Sequence, residues 1–190
     1  MRVLLLSCFL LLIMACSQPG VQIRYYQLPY PEGIPAATAQ FAPEQVLVLH
    51  GIQLAPFLKQ RGIVYQNSAT ELTVARQHLW ADDLASQLER QLRLQLAVSA
   101  PEWQLSPAPD KHGVQLQIRV DRLVGLPDGH ALLSGDYRLS DGQRSQQHSF
   151  VIRRPLQDDG YPALVEAMAA SWQQLNQQVA EQLKLWVKND

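Results

Sequence analysis

The two cysteines of this chain suggest its most specific covalent chemistry. Cys8 and Cys16 both lie in the first sixteen of 190 residues, so the rest of the chain has no thiol for a disulfide, a metal cluster or a cysteine nucleophile. Any chemistry of these thiols is therefore confined to the N-terminus of the chain.

The N-terminus has the features of an export signal. Arg2 is followed by an almost wholly apolar run, Val3 to Met14, which has the length of a signal-peptide core and is too short to span a bilayer. Ile13 to Cys16 then resembles a bacterial lipobox, in which an aliphatic, a loosely specified and a small residue precede the cysteine. This resemblance implies that residues 1–15 are removed and that Cys16 carries diacylglycerol and an acylated amino group. The alternative is an ordinary cleaved signal peptide with an incidental cysteine.

A second match to the same local pattern, Leu5 to Cys8, leaves an apolar run that is too short for export. Cys16 is therefore the predicted lipidation site, followed by a tether over residues 16–22 and a single domain over residues 23–190. Ser17 follows the cysteine at the position where aspartate would be the usual inner-membrane retention signal. We therefore expect a lipid-anchored protein of the outer membrane that faces the periplasm.

Motifs for enzymatic chemistry are missing from the sequence. It has no G-x-S-x-G, no Walker-type loop, no G-x-G-x-x-G and no H-E-x-x-H. The paired carboxylates Asp82/Asp83 and Asp158/Asp159 are interpreted as charges at helix starts. The net charge of −1 gives no electrostatic case for nucleic acid. We predict a non-enzymatic protein without a cofactor or metal site, whose five histidines are scattered over the surface: His50, His78, His112, His130 and His148.

Aromatic residues beside loops and at a candidate sheet edge are the best candidates for protein contacts, because interfaces are enriched in them. Trp80 and Trp172 are instead predicted to pack in the core, on the apolar sides of two helices. Trp186, near the chain end, is expected to be exposed. The candidate partner-contact residues are Tyr25, Tyr26, Phe57, Tyr161 and Trp186.

A long amphipathic helix is predicted after two strand-like runs, Ile63–Tyr65 and Glu71–Arg76. Leucines recur every four residues from Leu84 to Leu96, with Trp80 and Ala81 beside them, and Asp82 and Asp83 are placed in the first turn. A second helix of about 25 residues begins near Pro162, where apolar residues again recur every three or four positions.

The remaining segments predict strands. Val114–Val120 alternates apolar and polar residues, as expected for a strand with one solvated face. The other predicted strands are Arg24–Leu28, a central Val46–Leu54, and a meander completed by Ala131–Ser140 and Gln147–Arg153 across a two-residue Asp141-Gly142 turn. Pro101–Gly113 is predicted to be irregular. The fold class is therefore α+β, with a mainly antiparallel sheet and two long helices packed on one face.

Ile63–Gln66 followed by Ala75–Ala81 resembles the signature of the PqiC-like lipoproteins, the ABC-type transport auxiliary lipoprotein family. Tyr25–Leu28, Pro56–Leu58 and Asp159–Tyr161 agree with this resemblance, although the Pro usual after Trp-Ala is absent here. The resemblance implies a periplasm-facing lipoprotein that works with an MCE-domain, periplasm-spanning protein and an inner-membrane component. Together these proteins would move lipids between the membranes and support envelope integrity. No catalytic residues belong to the family.

Three functions are compatible with these features to different degrees. The first is a non-enzymatic outer-membrane lipoprotein that docks to the periplasm-spanning partner, and a homo-oligomer remains open. The alternative is a periplasmic lipid-binding module that carries an acyl chain between sheet and helices, which an apolar cavity would favour. The third, an envelope hydrolase, is disfavoured by the missing motifs.

Overall fold

The alternating apolar and polar residues from Val114 onward form the longest strand of the computed structural model, which describes residues 22–30, 45–106 and 113–188. A short 3-10 helix, Pro56–Lys59, follows the second strand. The strands are β1 (Arg24–Tyr26), β2 (Gln45–Leu54), β3 (Gly62–Gln66), β4 (Leu72–Trp80), β5 (Trp103–Ser106), β6 (Val114–Leu126), β7 (His130–Ser140) and β8 (Ser145–Pro155), and the helices are α1 (Leu84–Ser99) and α2 (Tyr161–Lys188).

The sheet divides at β6. Along one edge β6 pairs with β7, and β7 pairs with β8, which forms the predicted meander. Along its other edge β6 pairs first with β2 and then, at Gly125, with β3. β5 extends the β2 branch, while β4 and then β1 extend the β3 branch. The first strand, which leads in from the N-terminus, therefore lies at the opposite edge of the sheet from β8.

The sheet is mixed, and antiparallel residue pairs predominate in it, in agreement with the predicted mainly antiparallel sheet. Within the described ranges, four strand pairs are parallel and three are antiparallel, although the two longest registers, β6–β7 and β7–β8, are antiparallel with eleven residue pairs each. The reason is connectivity, because a tight turn can join only antiparallel neighbours. β2 and β5 are linked through β3, β4 and α1, and this long crossover lets them run parallel.

Both helices pack side by side on one face of the sheet, as predicted. α1 covers β2 and β5, whereas α2 covers β7 and β8, and the two helices also contact each other. Trp172 Nε1 of α2 donates a hydrogen bond to the backbone oxygen of Leu88 in α1 over 3.0 Å, and both side chains are fully buried. The other face of β6, which carries Gln117 and Arg119, stays polar.

The predicted start of the first helix is wrong by several residues. β4 continues to Trp80, whose N–H donates to Arg61 O over 2.6 Å, and the Ala81 N–H then donates to Tyr26 O over 2.8 Å. Pairing with β1 and β3 thus keeps this stretch extended and overrides its helical spacing. Trp80 is buried as predicted, but it lies on a strand. Asp83 is the residue that caps α1, since its Oδ2 accepts a hydrogen bond from the Ser86 N–H over 2.9 Å.

Two local expectations also differ from the structure. The stretch predicted to be irregular contains β5, which pairs in parallel with the start of β2 and buries Trp103. The turn between β7 and β8 is four residues long rather than two, because Ser140 pairs with Ser145. Asp141 accounts for the extra length, since its Oδ1 accepts hydrogen bonds from the backbone of residues 143 and 144 over 3.0 and 2.9 Å.

The N-terminal segment is fixed to α1 by buried glutamines. The Leu28 N–H donates to Gln87 Oε1 over 2.9 Å, and Gln91 Nε2 donates to Pro29 O over 2.9 Å. The predicted first strand extends to Leu28, but β1 ends at Tyr26, because the Leu28 N–H is bonded to a side chain instead of a neighbouring strand. The segment that leads in from the predicted tether is therefore held by both the sheet and a helix.

Candidate functional site

The two acidic pairs predicted to be charges at helix starts have structural roles. Asp82 forms an ion pair with Arg90 over 2.8 Å, and Asp83 caps α1. Asp158 and Asp159 accept backbone hydrogen bonds from the residues that follow them, just before α2 begins. Among the residues that the structure describes, no cluster of three or more His, Cys, Asp or Glu side chains could hold a metal ion.

An aromatic cluster forms where β1, β4 and the start of α2 meet. The His78 and Tyr161 rings are stacked with centroids 3.8 Å apart, and the Tyr26 ring lies 5.6 Å from His78 and 6.4 Å from Tyr161. Tyr26 Oη and His78 Nδ1 are joined by a hydrogen bond of 2.9 Å. These three residues are called the aromatic cluster below.

The environment of the aromatic cluster disfavours charge. Burial, with a smaller contribution from the nearby Arg24 guanidinium, holds the pKa of His78 below its ordinary value. Burial raises the pKa of the Tyr161 hydroxyl. At neutral pH both rings are therefore uncharged, and the cluster presents a surface suited to packing and hydrogen bonding.

A groove of about 350 Å³ lies beside the aromatic cluster and shares Tyr161 with it. Tyr65 Oη donates to Leu126 O over 2.9 Å, which fixes its ring in the wall. A Cβ on Gly125 would lie only 2.7 Å from the Tyr65 ring and 2.9 Å from Leu164. Glycine at this position therefore leaves the space that the Tyr65 ring occupies. The groove, called the aromatic groove below, is lined mainly by Tyr65, Leu126, Pro127, Leu156, Tyr161 and Leu164.

The size and lining of the aromatic groove suit recognition of an apolar or aromatic group. Pockets of roughly 300–1,000 Å³ with apolar walls are typical binding sites. The polar residues in its lining include His130 and Asp159. His130 Nδ1 lies 3.0 Å from Asp128 Oδ1, and the same carboxylate also pairs with Arg153. The Asp128 carboxylate and the Arg153 guanidinium near the groove thus already pair with each other.

The structure separates the five predicted contact residues. Tyr26 and Tyr161 meet in the aromatic cluster, whereas Tyr25, the neighbour of Tyr26 in β1, is 57% exposed. Phe57 lies in the 3-10 helix, partly buried against the core. Trp186 lies near the far end of α2, roughly 38 Å along the helix from Tyr161.

The expectation of an exposed Trp186 is wrong. Its side chain is only 3% exposed, and the Arg144 guanidinium covers the indole ring at 4.2 Å from its centroid. Arg144 Nη2 also donates to Trp186 O over 3.0 Å. The helix continues far enough for the β7–β8 turn to fold over it, so Trp186 belongs to the core.

Sequence reasoning missed two residues of the site. The sequence pattern predicts Tyr65 on a strand without a further role and His78 among the scattered surface histidines. The structure instead stacks His78 on Tyr161. The feature that places His78 in the site is the register of the β1–β4 pairing. In this register His78 pairs with Arg24, which brings it beside Tyr26. This register depends on contacts between distant segments. His112 and the predicted lipidation site, Cys16, lie outside the described residues.

No helix in the described ranges is both long enough and apolar enough to cross a membrane. The family model for the ABC-type transport auxiliary lipoprotein component matches residues 26–180. This range contains strands β2 to β8, α1 and most of α2. The chain therefore belongs to the ABC-type transport auxiliary lipoprotein family. This confirms the resemblance found in Ile63–Gln66 and Ala75–Ala81.

Individual relatives support the same assignment. The chain is 26% identical over 185 residues to the intermembrane transport lipoprotein PqiC of Escherichia coli (strain K12), covering 97% of this chain and 98% of that protein. The PqiC protein of Shigella flexneri matches to the same extent.

Two crystal structures share the fold. One, of an uncharacterized protein, has a TM-score of 0.75 at 26% identity and covers 85% of this chain and 99% of that one. The other, protein XCC0632 from Xanthomonas campestris, has a TM-score of 0.65 at 18% identity, with 86% and 99% covered, and it supports the fold alone.

Proposed function

We propose that this protein is a non-enzymatic, outer-membrane lipoprotein subunit of an MCE-type intermembrane lipid transport system. Cys16 carries the lipid anchor, and the folded domain faces the periplasm. The observation that carries the proposal is the family match over residues 26–180, together with the PqiC relatives, which are named intermembrane transport lipoproteins. In this system the domain docks onto a periplasm-spanning MCE-domain protein, and an inner-membrane component completes the path for lipids. The assembled system supports envelope integrity.

The aromatic groove is the docking site in this proposal. It combines an apolar lining with Tyr161, which the aromatic cluster positions from behind through the stack on His78. Such preformed aromatic pockets supply much of the affinity at protein interfaces, because a partner side chain can be buried there without reorganising the receptor. Docking at a groove needs no reaction and agrees with the structural roles of the acidic pairs.

The alternative, an acyl chain held between sheet and helices, has less support from packing. Leu88 and Leu92 of α1 and Leu175 of α2 are fully buried where the layers meet. The hydrogen bond from Trp172 to Leu88 O joins the two helices above these buried side chains. Phospholipid that copurifies with the protein at one molecule per chain would favour this alternative over docking.

Site-specific photocrosslinking in cells tests the docking proposal. A photoreactive phenylalanine replaces Leu156, which lines the groove, and in a matched control it replaces Val151, which is 71% exposed on β8. We expect a crosslink to the MCE-domain protein from position 156 and none from position 151. Crosslinking from position 151 alone, or from neither position while the protein is present at normal levels, would contradict docking at the groove.

A further inference from the structure

We propose that the edge of the sheet at β1 rests on the membrane that holds the lipid anchor, and that its side chains contact anionic phospholipid. This inference rests on the proposed lipidation of Cys16 and assigns the orientation of the anchored domain. The contact surface, called the β1 patch below, consists of Ile23, Arg24, Tyr25 and Arg61.

The length of the tether brings the β1 patch close to the membrane. Six peptide steps separate Cys16 from Gln22, where the described structure begins. Six residues span at most about 20 Å when fully extended. Gln22, two residues before β1, must therefore remain within about that distance of the lipid, whichever way the domain turns.

The β1 patch exposes large apolar side chains that the fold itself does not use. Ile23 is 51% exposed and Tyr25 is 57% exposed. Tyr25 pairs with Leu79, whereas Tyr26 pairs with the buried Trp80, so Tyr25 points away from the helices. Ile23, two residues earlier, shares that outer face. Tyrosine and aliphatic side chains in this setting match the boundary between lipid headgroups and acyl chains.

Positive charge accompanies these apolar side chains. The Arg61 guanidinium carbon lies 5.6 Å from the centroid of the Tyr25 ring, so cation and ring form one unit. Arg24 is exposed on the same edge strand, on the face that carries Tyr26 and His78, so positive charge flanks both sides of the edge. The acidic residue that follows β4, Asp82, is engaged with Arg90 of α1. A sheet edge that carries an aromatic ring beside one guanidinium group, with a second guanidinium on its other face, complements a surface of phosphate headgroups better than it complements bulk water.

The opposite edge of the sheet lies far from this contact. Five strand spacings separate β1 from β8 in the order β1, β4, β3, β6, β7, β8. At about 4.8 Å per spacing the separation is roughly 24 Å. A domain resting on β1 therefore holds β8 away from the membrane by about that distance.

Fluorescence quenching from the bilayer measures this orientation. The lipidated full-length protein is reconstituted into vesicles of phosphatidylcholine with phosphatidylglycerol that carry a headgroup-level quencher. A single fluorophore is attached at Gln77→Cys on β4, next to the His78 that pairs with Arg24, or at Ser149→Cys on β8 as the matched control. Both positions are exposed. We expect strong quenching at position 77 and weak quenching at position 149, with the difference reduced in pure phosphatidylcholine.

Charge variants show whether the β1 patch causes the orientation. One variant combines Arg24→Gln with Arg61→Gln, and the control carries Arg138→Gln, which removes an exposed charge from β7. Each arginine near an anionic surface favours the contacting orientation roughly fivefold. The double variant should therefore reduce the ratio of contacting to non-contacting orientations roughly 25-fold. The control should keep the wild-type difference between the two fluorophores.

Equal quenching at positions 77 and 149, or an unchanged difference in the double variant, would overturn the inference. Vesicle flotation separates this result from failure of the proposed function. Protein that floats with the vesicles but shows equal quenching is anchored without this orientation. Protein that does not float overturns the lipidation itself, and the inference falls with it.

Discussion

At the scale of single residues, the side chains that hold the two layers together also keep the candidate site in place. Leu88 is fully buried in the predicted stripe of α1, and its backbone oxygen accepts the hydrogen bond from Trp172. Tyr161, at the start of the same helix as Trp172, belongs to both the aromatic cluster and the aromatic groove. Packing at the helix pair and the shape of the groove are therefore linked through α2.

Leu88→Ala should reduce the free energy of unfolding by roughly 2–5 kcal/mol, because it removes a buried side chain from a packed layer. A urea melt measures this change. The matched control is Val98→Ala on the same helix, where the side chain is 47% exposed. The control should change stability by less than about 0.5 kcal/mol. Equal effects at the two positions would mean that the apolar stripe does not carry the packing.

His78 predicts a pH dependence of stability. Burial holds its folded-state pKa below its ordinary value, so the unfolded chain takes up the proton first as the pH falls. Its contribution to stability is therefore complete above about pH 6.5 and is lost as the pH falls from there through the lower folded-state pKa. Urea melts of the wild type and His78→Asn at pH 7.5 and 5.5 should show a smaller pH effect in the variant. The same pH effect in both proteins would contradict this prediction.

At the scale of secondary structure, α1 depends on its N-cap. Asp83 Oδ2 accepts hydrogen bonds from both the Ser86 N–H and the Ser86 hydroxyl, at 2.9 and 3.0 Å. Asp83→Ala should lower the free energy of unfolding by about 0.5–2 kcal/mol, since it leaves an N–H group of the first turn without its partner. Asp83→Asn keeps an acceptor oxygen and should be close to the wild type in the same denaturation assay. A large loss in the asparagine variant would indicate that charge, rather than capping, matters here.

The elements that could be predicted from sequence are those whose periodicity is strong and local. The leucines of α1, the long apolar pattern of α2 and the alternation in β6 gave correct elements and the correct packing of both helices on one face. These patterns depend only on which residues face the core.

The errors arose where distant segments decide the local structure. Trp80 has helical spacing with α1, but pairing with Tyr26 of β1 holds it in a strand. β5 is four residues long, and its pairing with β2 is not visible in its own sequence. The aromatic cluster has the same origin, because the β1–β4 register and the start of α2 together bring Tyr26, His78 and Tyr161 into contact.

At the scale of the whole molecule, the fold positions three surfaces. β1 lies at one edge of the sheet and leads in from the predicted tether, and Gln87 and Gln91 fix the following segment to α1. The aromatic groove lies at the junction of the β6–β7 turn and the start of α2. β8 forms the opposite edge. A domain held at β1 would therefore keep the groove near the membrane, while β8 faces away from it.

The central claim is that Cys16 anchors this domain to a membrane, and mass spectrometry of the mature N-terminus combined with membrane fractionation tests it most directly. The wild type should begin at a lipid-modified Cys16 and remain with the membrane in high salt. Cys16→Ser should lack the lipid, keep its fold and lose stable membrane attachment, because protein contacts alone must then hold it. An unmodified cysteine in the wild type, or equally strong membrane retention of both proteins in high salt, would contradict the account.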